Sequence, residues 1–97
     1  MLFVQLMKPR ADINWQECIK RSLQYRFPAA AGEVIGEYVL SAREPFYIGL
    51  FKADNMAQIT AANMPWIDFF DISVYPACTM QEMRDMTGAM LAASGQS

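Results

Sequence analysis

The run Phe69-Phe70-Asp71-Ile72-Ser73-Val74-Tyr75, set between Met64-Pro65-Trp66 and Pro76, constrains the fold more than any other part of the chain. It reads as a helix end, a Pro-Trp turn and then a strand. Side chains alternate along a strand, so Phe70, Ile72 and Val74 share one face and Phe69, Asp71, Ser73 and Tyr75 the other. The first face is apolar and belongs against a core. An aspartate between aromatics on the second face asks for a polar cleft or a subunit interface.

The other elements follow from period and punctuation. Leu2 to Lys8 alternates as a strand and stops at Pro9. Asn14 and Glu17 have capping-box spacing for a first helix, with Trp15, Cys18, Ile19, Ser22, Leu23 and Arg26 on one stripe whose apolar part packs on the sheet. Phe27-Pro28 ends it. Glu33 to Ser41 and Phe46 to Lys52 are strands joined by the polar loop Ala42-Arg43-Glu44-Pro45. Asp54 caps a second helix over Asn55 to Asn63. Thr79 and Glu82 form a capping box for a third, running to about Ala92 with a stripe of Met80, Met83, Met86 and Met90. A helical methionine stripe is adaptable core or interface, here expected to cover a sheet edge or clasp a second subunit.

The order βαββαβ followed by a helix is the ferredoxin-like, split-βαβ pattern of an α+β fold, with residues 1–93 as one domain and 94–97 as a frayed tail. Two right-handed crossovers give strand order 4-1-3-2 and place the first two helices on one face. On that arrangement the expected helix-facing set is Leu2, Val4, Leu6, Val34, Tyr38, Leu40, Phe46, Ile48, Leu50, Phe70, Ile72 and Val74. The open face then carries Phe3, Gln5, Met7, Ile35, Glu37, Val39, Tyr47, Gly49, Phe51, Phe69, Asp71, Ser73 and Tyr75, and is half apolar. A solvated antiparallel face is mostly polar, so a partner is expected to cover it. A second copy on a two-fold axis is the simplest, giving a homodimer or a multiple of it. Two such sheets face to face make a dimeric α+β barrel, whose interior would accept a small apolar ligand.

Composition excludes several classes. Net charge is −2, whereas a nucleic-acid module needs a basic face. The third strand also lacks the Lys/Arg-Gly start of the RNA-recognition motif. No apolar run approaches a membrane span, and Met1-Leu2-Phe3-Val4 is too short for a signal peptide, so a cytoplasmic protein is expected. Cys18 and Cys78 have no ligand spacing and are expected to be reduced. There is no histidine, which removes Ser-His-Asp and Cys-His chemistry and any His-ligated metal. No metal site and no cofactor is expected, and acid–base work falls to Asp, Glu, Lys, Tyr or Cys.

Gly36-Glu37-Tyr38, Phe51-Lys52-Ala53-Asp54 and the stretch Trp66 to Pro76 resemble the dimeric α+β barrel superfamily, and within it a group of short bacterial proteins without assigned function. Met64 to Val74 is also similar to the corresponding stretch of muconolactone isomerases. The resemblance covers most of residues 1–76. It implies a fold shared by isomerases, cofactor-independent quinone-forming monooxygenases, haem proteins and dye-type peroxidases. The missing histidine counts against the haem branch. The monooxygenases typically place Trp, Asn and Tyr around an aromatic substrate, and Trp66, Asn63 and Tyr75 are available.

Two function classes remain open. In the first, a cofactor-free isomerase or monooxygenase acts on a small aromatic or lactone-like carbonyl compound. Glu37 or Asp71 would be the base and Tyr47 or Tyr75 the orienting hydroxyl, with Gln5, Phe51, Trp66, Phe69 and Ser73 binding substrate. Each also has a structural reading. Glu37 and Asp71 are edge-strand charges, the tyrosines fill an interface, and Trp66 plugs the base of the sheet. In the second class, a non-catalytic binding or assembly module uses the same face.

Overall fold

A computed structural model describes residues 1–95 of the chain. The predicted tail begins with Ser94 and Gly95; its last two residues, 96 and 97, lie outside the described residues. The elements are β1 (Leu2–Pro9), α1 (Trp15–Gln24), β2 (Glu33–Val39), β3 (Tyr47–Lys52), α2 (Met56–Asn63), β4 (Phe70–Ala77) and α3 (Met80–Ala93), with short 3-10 turns at Ala29–Ala31 and Met64–Trp66. The four strands form one antiparallel sheet in the order β2-β3-β1-β4. This is an α+β, ferredoxin-like fold with an added C-terminal helix. No described helix is long and apolar enough to cross a membrane.

Local chemistry sets the boundaries. The Asn14 side chain accepts from the Glu17 N–H at 3.1 Å and starts α1. Thr79 and Glu82 close a full capping box on α3. The cap of α2 is Asn55, not Asp54; the Asp54 N–H instead donates to Gln58 Oε1 at 2.7 Å. Pro76 lies inside β4 rather than ending it, which an edge strand tolerates because one row of its N–H groups has no ladder partner. Gly32 has φ of 119° and leaves no room for a Cβ against the Lys52 carbonyl, so only glycine turns the chain into β2 here.

The face assignment of three strands differs from the sequence expectation. In β1 the core side is Phe3, Gln5 and Met7, and in β3 it is Tyr47, Gly49 and Phe51. Leu2, Val4 and Leu6, with Ile48 and Leu50, form the open face instead. Phe70, Ile72 and Val74 of β4 face the core as expected. Their pairing opposite Pro9, Met7 and Gln5 ties the parity of β1 to that of β4. The reason for the difference is that both faces of β1 are apolar, so alternation alone is blind to which is inside. Larger aromatic groups then win the interior because they bury more area. In β2 the register shifts between Val34 and Gly36. Val34 packs against the core, but beyond this bulge Glu37 and Val39 take the core side and Tyr38 the open side.

Two neighbouring clusters make up the core on that side. Phe3, Phe51, Ala53 and Ile59 bring α2 onto the sheet. Met7, Cys18, Phe69 and Phe70 bring α1 onto it. Of the α1 stripe only Cys18 is buried, while Ile19 and Leu23 stand exposed, contrary to the expected packing. The helix is rolled so that Cys18, Ser22 and Tyr25 look at the sheet across a gap.

Candidate functional site

That gap is a cavity of about 350 Å³ between the sheet and α1. Its floor comes from the strands. Gln5 and Met7 stand on β1, with Tyr47 and Phe51 on β3 and Glu37 on β2. Its roof is α1, through Cys18 and Ser22, with Tyr25 at the cap that follows it. Asn63, Trp66 and Phe70 close one end, and Arg26 and Glu37 stand at the mouth.

Gly49 makes the floor possible. It pairs with Gln5 on one side and Glu37 on the other. A Cβ there would sit 2.5 Å from Phe51 Cε2 and 2.6 Å from Tyr47 Oη. The rings of residues 47 and 51 therefore lean together over a bare backbone. Opposite them, the Trp66 ring meets Tyr25 edge-on at 5.2 Å. Tyr25 Oη donates to the Ala62 carbonyl at 2.9 Å and ties the end of α1 to α2. Arg21 ties the same helix to the approach to β4. It donates to Asp68 Oδ1 at 2.7 Å and to the Pro65 carbonyl, with its guanidinium 4.3 Å above the Phe69 ring.

The polar groups divide into satisfied and unsatisfied. Tyr47 Oη donates to Glu37 Oε2 at 2.9 Å. Burial, and then the adjacent Glu37 charge, push the Tyr47 phenol far above its ordinary range, so it stays a donor. Burial likewise pushes the Cys18 thiol up, leaving a neutral SH in the wall rather than a nucleophilic thiolate. The guanidinium beside Asp68 holds that carboxyl below the usual aspartate range. Gln5 is different. It is 4% exposed, lines the cavity, and its side-chain oxygen has no hydrogen-bond partner. Buried polar atoms are nearly always paired.

The residues singled out from sequence separate onto two faces. Glu37, Tyr47, Gln5, Phe51 and Trp66 come together around the cavity. Asp71, Ser73 and Tyr75 lie on the opposite, open face. Asp71 pairs loosely with Arg10 at 3.8 Å and sits across from Lys8. Phe69 precedes β4 and is buried beneath Arg21. As site residues, sequence reasoning missed Gly49, Ser22 of α1 and its C-cap Tyr25. The signal for Gly49 was its place between Tyr47 and Phe51 in a strand otherwise made of large side chains. Among the described residues no cluster of Cys, Asp or Glu is arranged to hold a metal.

A family model described as "Domain of unknown function (DUF3303)" matches residues 1–91. The chain belongs to the DUF3303 family. Comparison with curated proteins and with solved structures gave no match. Membership therefore brings no activity with it, and the chemistry of this DUF3303 domain has to be argued from the cavity.

Proposed function

We propose that the domain binds a small aromatic or lactone-like carbonyl compound between the sheet and α1 and moves a proton on it without a cofactor, as an isomerase does. The observation that carries this reading is Gln5, a buried amide in the lining of an aromatic-walled cavity whose side-chain oxygen has no hydrogen-bond partner. An orphaned buried acceptor costs about 1–3 kcal/mol. A ligand hydroxyl or N–H would remove that cost. The volume matches the small end of ligand pockets, which are mostly apolar with a few convergent polar groups.

In this reading Glu37 takes a proton from carbon next to the carbonyl and returns it at a second carbon, so the compound is rearranged and nothing is consumed. Tyr47 holds the carboxylate in one orientation by its 2.9 Å hydrogen bond. The amides of Asn63 and Gln5 are the donors available to oxygen as it gains charge. The same first step, carbanion formation, would serve a monooxygenase if dioxygen then reacted with the substrate. A second reading, a non-catalytic binding module, is favoured by one observation. Glu37 is exposed at the mouth and already accepts a hydrogen bond from Tyr47.

The test is a panel of small phenols, quinones and unsaturated lactones, read first by thermal shift and then by deuterium uptake from solvent into the bound compound. Expected is at least one stabilising compound that gains deuterium with the wild type. Glu37→Gln should bind it within a few-fold and lose 10²- to 10⁴-fold in exchange rate. Binding without exchange would leave the binding module, and no stabilising compound from the panel would overturn the proposal.

A further inference from the structure

The third helix stands clear of the body. No residue of α3 is buried, and none of the other elements packs along it. The molecule measures 59 × 29 × 17 Å because of this arm. Met80, Met83, Met86 and Met90 are each between 48% and 66% exposed. A free helix of this length is marginal in water, since isolated helices shorter than ~12–15 residues hardly hold together. Its capping box steadies one end only, and Gly88 weakens its middle. The helix needs a surface to lie on.

The same chain leaves one suitable surface bare. The open face of the sheet presents Val4, Leu6, Ile48 and Leu50 at its centre, flanked by Tyr38 and Tyr75. Its rim charges are answered within the chain, Lys8 by Glu44 at 2.6 Å, Asp71 by Arg10 at 3.8 Å and Lys52 by Glu33 across the β2–β3 ladder, which leaves the apolar centre as the part of this face without a partner. A 14-residue helix is about 21 Å long. Strands of six to eight residues run about 20–27 Å. Lengths and apolar character match.

We infer that α3 is an exchanged arm, seating its methionine stripe on the open sheet face of a second copy while receiving that copy's arm on its own. Two-fold symmetry closes the exchange. Used reciprocally, it gives each copy both an arm and a seat, which brings the surface taken from each partner toward the ~800 Å² of a standard interface. Met side chains suit this role because they adapt to a shallow aliphatic surface. The inference is independent of the cavity, which lies on the other side of the sheet. It also replaces direct sheet-on-sheet contact as the way the open face is covered.

The experiment is sedimentation equilibrium on the full chain, with far-UV circular dichroism at the same concentrations. Wild type should be a dimer whose helix content falls as dilution separates the copies. Met83→Glu with Met86→Glu keeps good helix formers at exposed positions, so the body folds, and should weaken the dimer at least 100-fold. Leu50→Lys on the seat should do the same. A dimer that the arm variant leaves intact would mean the sheets meet directly, and would overturn the inference. So would a monomer at tens of micromolar with undiminished helix content.

Discussion

Gln5→Met should make the ligand-free protein more stable. Methionine is unbranched and close to glutamine in length, so the substitution keeps the shape of the floor between Phe3 and Met7. It removes the one buried side-chain oxygen that has no partner among the described residues. Leaving such a group unpaired costs about 1–3 kcal/mol, and replacing it by an apolar group of the same shape recovers most of that. For a domain of this size 1 kcal/mol moves the melting temperature by roughly 4–8 °C, so a rise of at least ~4 °C is expected. Urea unfolding should show a higher midpoint at unchanged slope, since the surface exposed on unfolding hardly changes. The same variant should lose affinity for any compound that stabilises the wild type. A fall in melting temperature would refute the reasoning. It would mean that Gln5 is already satisfied in solution, and the case for a ligand at that position would go with it.

Three further outcomes are expected. Gly49→Ala should displace the Tyr47 hydroxyl or the Phe51 ring and cost ~1–3 kcal/mol by overpacking, read by chemical denaturation together with the near-ultraviolet tyrosine signal; an unperturbed variant would show that the floor is looser than described. The Arg21–Asp68 pair lowers the Asp68 pKa, so its contribution is fully present above the unfolded value of ~3.9 and is lost as pH falls through the lower folded value. The pH-dependent part of the stability difference between wild type and Arg21→Met should therefore be flat from pH 7 to 5 and vanish only in strong acid; a loss centred above pH 5 would contradict the assignment. Gly88→Ala meets nothing within 4 Å in the free arm and should raise helix content, with a gain of about 0.5–1 kcal/mol in arm stability seen by circular dichroism and amide exchange.

Element order, strand order and both side-chain caps of the longer helices were legible because they rest on local signals: proline stops, Asn and Thr caps, and periods of two and 3.6. Parity was not, because Leu2-Phe3-Val4-Gln5-Leu6-Met7 offers an apolar residue at nearly every step. Only β4 had two chemically distinct faces, and pairing β1 to it would have placed Gln5 inside. For Glu37 no alternation rule sufficed. One extra residue near Ile35 decides which way it points, and a bulge leaves little trace in composition. Asp71 and Tyr75 stand as alternatives to Glu37 and Tyr47 on one face only if β1, β2 and β3 take the opposite parity from the one observed. The roll of α1 that opens the cavity depends on distant ties, Arg21 to Asp68 and Tyr25 to Ala62, which no helical period announces.

The bulge in β2 has a bearing on how such molecules gather. A sheet with two free borders invites neighbours to extend it strand by strand without limit. Here one border is interrupted where the β2 ladder skips a residue, and the other is interrupted at Pro76, which has no N–H to offer. Both flanks are thus poor templates for an incoming strand. With growth at the borders discouraged, the arm exchange inferred above would end in a counted, self-terminating complex rather than in fibres.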